Sequence, residues 1–241
     1  MLSVEFKYLL KVYITQPVLS EAIDWLNSRF QVVRNTEDRV LAKAQLIENL
    51  KGVDGVVTLL TDVIDQEVLE ASPALKIVSN VAVGFNNIDV QAATRLGVLV
   101  SNTPGVLTET SADLALALMM AAARRISESE RFTRAHKFKT WGLQMFLGHD
   151  VYGKTLGIIG LGRIGRAMAR RAQGFGMRVL FYNSRPVAPD VAAEYGATPV
   201  SLEELYRQAD YISLHVPLSA ETKHLLSDTA FAQMKIGRAH V

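Results

Sequence analysis

The chain is 241 residues long and 49% hydrophobic, room for one large domain or two ordinary ones with buried cores. It has no cysteine, which excludes a disulfide framework, a thiolate metal site and a cysteine nucleophile, and suits a cytoplasmic protein. Lys+Arg 26 against Asp+Glu 24 gives a formal charge of +2 with the basic residues scattered, so neither nucleic acid nor an anionic membrane is expected as a partner.

At the start, Met1-Leu-Ser-Val-Glu-Phe-Lys-Tyr-Leu-Leu10 is interrupted by Glu5 and Lys7 and lacks the apolar core of an export signal. From residue 11 onward, short β-branched runs alternate with helical patterns. Strands are predicted over 11–15, 30–34, 55–59, 76–80 and 98–101, with helices over 19–28, 40–51, 66–71 and 88–96. This alternation predicts a parallel α/β domain over 1–103. Near-continuous apolar strands such as Gly55-Val-Val-Thr-Leu-Leu60 predict a sheet covered on both faces.

At Asn102-Thr-Pro-Gly105 a turn signal opens an alanine- and leucine-rich helix over 108–125, expected to cross between domains. Its apolar part, 114–123, is about half the length a bilayer span needs and is expected to be a buried helix. After an irregular segment at 141–153, a second α/β unit opens with a strand at Thr155 and continues with strands over 179–182, 197–200 and 210–215. Ser201-Leu-Glu-Glu204 is a capping-box start for the helix before the last of these. In a doubly wound order 3-2-1-4-5-6, strands 1 to 4 are expected, which leaves strand 4 without an outer neighbour.

The chemistry of the second unit centres on Gly160-Leu161-Gly162-Arg163-Ile164-Gly165, a GxGxxG turn between an apolar strand and an amphipathic helix. Gly160 lets the chain turn out of the strand, Gly162 lets bare backbone approach phosphates, and Gly165 lets the helix pack closely on the sheet. The helix N-terminus then offers N–H groups and partial positive charge to a pyrophosphate. The unit is therefore expected to be an incomplete dinucleotide-binding domain over 104–235, and the fold class α/β with two Rossmann-like or flavodoxin-like parallel sheets.

An acidic residue gripping a ribose 2′-OH is expected about 20 residues after the turn. The sequence there reads Phe181-Tyr182-Asn183-Ser184-Arg185-Pro186, without a carboxylate. Asn183 removes the repulsion a 2′-phosphate would meet, and the Arg185 guanidinium is a match for that phosphate, so NADPH is favoured over NADH; a solvated turn is the alternative. His215, ending the fourth strand, is expected to neighbour the cofactor rather than act as the acid, because no carboxylate orients it. His136 and His149 read as surface residues, and His224 sits in a polar helix-start region. No metal-ligand or nucleophile motif occurs. In the first domain, Val81-Ala-Val-Gly-Phe-Asn-Asn87 follows the fourth strand, where a small loop either offers backbone N–H groups to a carboxylate or simply connects strand to helix.

Several of these stretches together resemble the D-2-hydroxyacid dehydrogenases, with glyoxylate/hydroxypyruvate reductases the nearest look. They are Val81-Ala-Val-Gly-Phe-Asn-Asn-Ile-Asp89, Asn102-Thr-Pro-Gly-Val-Leu-Thr-Glu-Thr-Ser-Ala-Asp113, Phe146-Leu-Gly-His-Asp-Val-Tyr-Gly-Lys-Thr155, the glycine turn and His215-Val-Pro-Leu218. The resemblance implies a two-domain enzyme with NADP or NAD in the cleft, a small 2-oxo acid as substrate and a homodimer built around the nucleotide domain and the long helix. It implies that Leu161 to Ile164 meet the pyrophosphate and that Asn183, Ser184 and Arg185 meet the adenosine ribose or its phosphate. Val216, Pro217 and Thr222 would contact the rest of the cofactor, with Ser111 near the nicotinamide and the Val83 and Gly84 amides on the substrate carboxylate.

The family's catalytic arginine, glutamate and histidine would all follow Lys235, and the last six residues, Ile236-Gly-Arg-Ala-His-Val241, do not continue its pattern. They read as translated sequencing adapter. A non-native tail over 236–241 and an inactive chain are the expectations, with no catalytic residue assigned. Another D-2-hydroxyacid dehydrogenase, such as one acting on phosphoglycerate, or a cofactor-sensing corepressor-like protein are the alternative functions.

Overall fold

A computed structural model describes residues 10–235 and 239–240; the N-terminal residues 1–9, and most of the tail expected over 236–241, lie outside the described residues. The chain divides into two compact units, Met1–Val106 and Leu107–Val241.

The first unit alternates strand and helix: β1 (Lys11–Ile14), α1 (Ser20–Asn27), β2 (Gln31–Arg34), α2 (Lys43–Asn49), β3 (Gly55–Thr58), α3 (Gln66–Glu70), β4 (Ile77–Asn80), α4 (Val90–Arg95) and β5 (Leu99–Ser101). The sheet order is β2-β1-β3-β4-β5, parallel throughout. The helices start where the side chains dictate: Asp65 accepts from the Val68 N–H and Asp89 from the Ala92 N–H, each satisfying an otherwise unpaired helix-start donor. One face of the sheet is dry, with Tyr13, Val56 and Val78 packed under Leu46, Leu50, Val68, Leu69 and Ala92. The first helix, α1, has no buried residue.

The second unit comprises α5 (Thr108–Ala123), α6 (Ile126–Arg134), β6 (Thr155–Ile159), α7 (Arg163–Gln173), β7 (Arg178–Tyr182), α8 (Pro189–Glu194), β8 (Ala197–Pro199), α9 (Leu202–Gln208), β9 (Tyr211–Leu214), α10 (Asp228–Phe231) and β10 (Ala239–His240). Its order, β10-β9-β6-β7-β8, is the doubly wound 3-2-1-4 arrangement with one strand more. The expectation that the fourth strand lacks an outer neighbour is corrected: Ala239 and His240 pair in parallel with Tyr211 and Ile212. An edge of unpaired N–H and C=O groups is a template for any extended segment within reach, and the chain that returns from α10 supplies one. The predicted capping box forms, with Ser201 Oγ accepting from the Glu204 N–H and the Glu204 carboxylate accepting from the Ser201 N–H.

α5 belongs to the second unit. The expectation of a buried helix over 114–123 is also corrected. Ala112, Met119 and Ala123 face the core, whereas Leu114 and Leu118 are 61% and 51% exposed. An alanine- and leucine-rich composition has no polar face by which to tell the sides apart, so packing within the unit, chiefly against α7, decides which side is buried. The helix stops because Arg125 takes a left-handed conformation at φ 54°, and α6 restarts beyond it. The 146–149 loop closes on this break: His149 N–H donates to the Ala123 carbonyl, and a Cβ on Gly148 would lie 2.4 Å from that same oxygen.

The two sheets share one device at their strand starts. Asp54, just before β3, accepts from the Lys11 N–H and from Lys76 Nζ; Asp210, just before β9, accepts from the Thr155 N–H and from Lys235 Nζ. The Lys76 ammonium, then the Lys11 N–H, hold the Asp54 carboxyl below the usual range.

Candidate functional site

In the second unit the glycine turn has the sterics that the sequence predicts. Gly160 sits at φ +99°, and a Cβ there would come within 2.5 Å of the His215 carbonyl oxygen. A Cβ on Gly165 would lie 2.1 Å from the Gly160 oxygen, so α7 crosses the strand end at a distance only glycine permits. A Cβ on Gly162 would meet nothing within 4 Å. Its absence serves no internal packing and leaves bare backbone open to solvent at the start of α7.

No side chain caps α7, whose N-cap is Gly162 and whose first intrahelical donor after the turn is the Arg166 N–H, to Gly162 O. The N–H groups of Arg163, Ile164 and Gly165 are thus left for an anion, at the positive end of an eleven-residue helix. The geometry fits a dinucleotide pyrophosphate.

Two side chains lock the turn. The Leu161 N–H donates to Asn183 Oδ1 at 2.6 Å, and Arg166 Nε donates to Leu161 O at 3.1 Å. Asn183 therefore lies beside the glycine turn at the end of β7. Ser184 and Arg185 follow on the surface, and Arg185 enters no ion pair among the described residues.

His215 closes the other side. Its backbone packs on Gly160, its N–H donates to Ile159 O at 2.8 Å, and its Nε2 shares a 2.9 Å hydrogen bond with Ser213 Oγ. Burial pushes the imidazole pKa down from 6.5, so the ring is neutral at neutral pH. Its side-chain partner is a hydroxyl and not a carboxylate. Val216 packs on the turn through Cγ1, and Thr222 Oγ1 ties back to the Pro217 carbonyl at 2.6 Å, fixing the loop after β9.

Ser111 stands half-buried on the first turn of α5. That helix is latched to α7 by an ion network in which Arg170 and Arg171 grip Glu109 and Arg171 also grips Asp113. Both guanidiniums, Arg170 first, lower the Glu109 carboxyl.

The first unit carries Val83 and Gly84 on the loop between β4 and α4. Three consecutive carbonyls of this loop are tied down: Ala82 O by the Thr103 N–H, Val83 O by Asn102 Nδ2 and Gly84 O by Asn80 Nδ2, at 2.8, 2.8 and 2.9 Å. Among the described residues, no acceptor takes the Val83 or Gly84 N–H. With three carbonyls tied and two amides free among the described residues, the loop has N–H donors available to an anion. Sequence reasoning singled out the two amides but missed the groups that tie the loop's carbonyls, Asn80, Asn102 and Thr103; of these only Asn102 and Thr103 lie within the quoted motifs, and nothing local marks them as partners of the loop.

Among the described residues there is no cluster of three or more metal-ligating side chains, and no helix is long and apolar enough to cross a membrane.

Residues 116–240 match the family model of the D-isomer specific 2-hydroxyacid dehydrogenase NAD binding domain. A glyoxylate reductase of Korarchaeum cryptofilum is 48% identical over 226 residues, 93% of this chain and 68% of that protein. Among solved structures, a Thermus thermophilus protein superposes with a TM-score of 0.86 at 39% identity, over 96% of this chain and 72% of that one. A glyoxylate reductase from Paecilomyes thermophila gives a TM-score of 0.85 at 31% identity with the same coverage.

Proposed function

This chain belongs to the D-isomer specific 2-hydroxyacid dehydrogenase family, nicotinamide-dependent oxidoreductases acting on the CH–OH group, and from that premise we propose that it derives from an NADPH-dependent glyoxylate or hydroxypyruvate reductase. The observation that carries the cofactor half is the glycine turn, where Gly160 and Gly165 are forced by packing and Gly162 is not. Arg163 to Gly165 would hold the pyrophosphate through their N–H groups, and Asn183, Ser184 and Arg185 would face the adenosine ribose. Asn183 places no negative charge there, and the Arg185 guanidinium, in no ion pair among the described residues, is matched to a 2′-phosphate, which supports NADPH over NADH.

The bound nicotinamide would supply a hydride to the 2-oxo carbon. This chain's own contribution is to bind and orient: Val83 and Gly84 N–H groups hold the substrate carboxylate, and Ser111 and the His215–Pro217 segment border the cofactor. The loop over 81–87 has no basic residue, which favours an unphosphorylated 2-oxo acid over a phosphorylated one. His215 is half-buried, its pKa lowered by burial, and its ring is held by Ser213 rather than a carboxylate, which supports a place beside the cofactor and not the role of proton donor. The 241-residue chain spans 68% of that curated relative's length.

The exposed Leu114 and Leu118 on α5 support a homodimer through that helix. The lack of cysteine supports a cytoplasmic protein, and the weak net charge supports the reading that neither nucleic acid nor membrane is a partner. Fluorescence titration with NADPH and NADH, followed by a glyoxylate-dependent NADPH oxidation assay, tests the reading. Tighter NADPH than NADH binding is expected, with any glyoxylate-dependent oxidation favouring NADPH. Absence of binding to either cofactor refutes the cofactor site, and tighter NADH binding refutes the preference.

A further inference from the structure

Beneath the 81–87 loop a chain of polar groups runs from the end of β1 to the Gly84 carbonyl. Thr15 Oγ1 and Gln16 Nε2 donate to the two oxygens of Asp62 at 2.5 and 3.0 Å, and Asp62 Oδ2 also accepts from the Leu59 N–H at 2.8 Å. The Asn87 carboxamide donates to the carbonyls of Leu59 and Asp62 at 3.1 and 2.9 Å, and its Oδ1 accepts from Asn80 at 3.1 Å. Asn80 gives its other N–H bond to Gly84 O and accepts from the Thr58 hydroxyl at 3.0 Å. Thr15, Thr58, Asp62 and Asn80 are each no more than 2% exposed.

Burying a carboxylate and a carboxamide is costly even when both are paired, and apolar side chains would hold an ordinary strand-to-helix connection at lower cost. What polar groups supply and apolar ones cannot is direction. In a trans peptide the N–H points opposite the C=O, so pinning a carbonyl aims the amide of the next residue. The Thr103 N–H on Ala82 O thus aims the Val83 amide, and Asn102 on Val83 O the Gly84 amide. The relay fixes the peptide after Gly84 through Asn80 and seats the loop end through Asn87, whose own carbonyl accepts from the Ile64 N–H.

We propose that Asn80 and Asn87, carried by Asp62, are positioning residues that fix the loop from Gly84 onward and so keep the Val83 and Gly84 amides, aimed by Thr103 and Asn102, in place for a substrate carboxylate; this rests on the carboxylate reading of the loop given above. Neither side chain touches substrate. Both act through the backbone.

The test uses the whole 241-residue chain, ¹⁵N-labelled and titrated with oxamate as the carboxylate probe. The readouts are the Val83 and Gly84 amide resonances, the thermal unfolding midpoint and NADPH affinity in the other unit. Oxamate is expected to move both amides in the wild type. Asn87→Ala is expected to weaken oxamate about fivefold or more while NADPH affinity stays within about twofold, since a hydrogen bond is worth about that factor. Asn86→Ala, at the exposed neighbour, should leave oxamate affinity unchanged. Thr58→Val removes only the hydroxyl behind Asn80; it is expected to weaken oxamate about twofold and serves where Asn87→Ala does not fold. Wild-type shifts at Val83 and Gly84 with oxamate affinity unchanged in both variants would overturn the positioning role and leave the carboxylate reading standing. Absence of those wild-type shifts would overturn both.

Discussion

The Asn183 carboxamide oxygen accepts the Leu161 N–H at 2.6 Å, so the residue at the end of β7 and the second residue of the glycine turn form one unit. An aspartate could make the same bond, and so the bond by itself does not explain an asparagine. The difference lies in what is left over: an asparagine keeps an N–H₂ donor and no charge, an aspartate a negative oxygen. Asn183→Asp is therefore expected to preserve the fold, raise NADH affinity and lower NADPH affinity by about tenfold or more. Arg185→Ala should weaken NADPH by about 10- to 100-fold, the worth of a charged hydrogen bond, and leave NADH untouched. Fluorescence titrations with both cofactors check the pair. An equal loss for both cofactors in Arg185→Ala would refute the phosphate assignment.

The three glycines of the turn separate into two kinds by variant. Gly165→Ala pushes a methyl to 2.1 Å from a backbone oxygen that cannot yield, and should destabilise the chain by more than about 4 kcal/mol. Gly162→Ala meets no neighbour and has φ −79°, so its thermal midpoint should stay near that of the wild type. Its new methyl occupies the space open to phosphates, and cofactor affinity should fall about tenfold or more. Thermal melts and NADPH titration of both variants distinguish packing from binding.

The strand–turn–helix rhythm and the glycine turn were legible because each is local: β-branched runs, a fixed glycine spacing and capping pairs such as Ser201 with Glu204 act over a few residues. The exposed side of α5 was not legible, since Leu114 and Met119 look alike until α7 chooses which is buried. Nor was the support of the Val83–Gly84 loop. Thr15 and Asp62 lie on separate strand ends far apart in sequence, as do Thr58 and Asn80, and only closure of the parallel sheet brings them with Asn87 to one end. The β10 pairing was missed for a similar reason, since a strand of two residues has no periodicity to read.

His215 gives the pH dependence a definite sign. Burial depresses its pKa in the folded chain, so between that value and the unfolded value of about 6.5 the unfolded chain binds more protons. Folded stability should therefore be at its full value above about pH 6.5 and decline as pH falls through that point, levelling once the folded imidazole is also protonated. His215→Gln should remove that part of the slope. Thermal midpoints of both chains between about pH 5 and pH 8 provide the measurement. Parallel curves would show that the imidazole is solvated and the Ser213 contact immaterial.

The outward leucines of α5 make the assembly testable. Leu114 and Leu118 are one helical turn apart, more than half exposed, and on the side away from Ala112, Met119 and Ala123. An apolar stripe of this kind on a long helix is costly in water and calls for a partner, and a second copy of the same helix satisfies a two-fold interface by itself. A double variant, Leu114→Glu with Leu118→Glu, would place four carboxylates in that interface and cost it several kcal/mol, about 2–5 for each buried unpaired charge. Sedimentation should then show a dimer for the wild type and a monomer for the variant, with NADPH affinity retained, because neither leucine reaches the glycine turn. A wild-type monomer at all concentrations would refute the dimer; a dimeric variant would move its interface elsewhere.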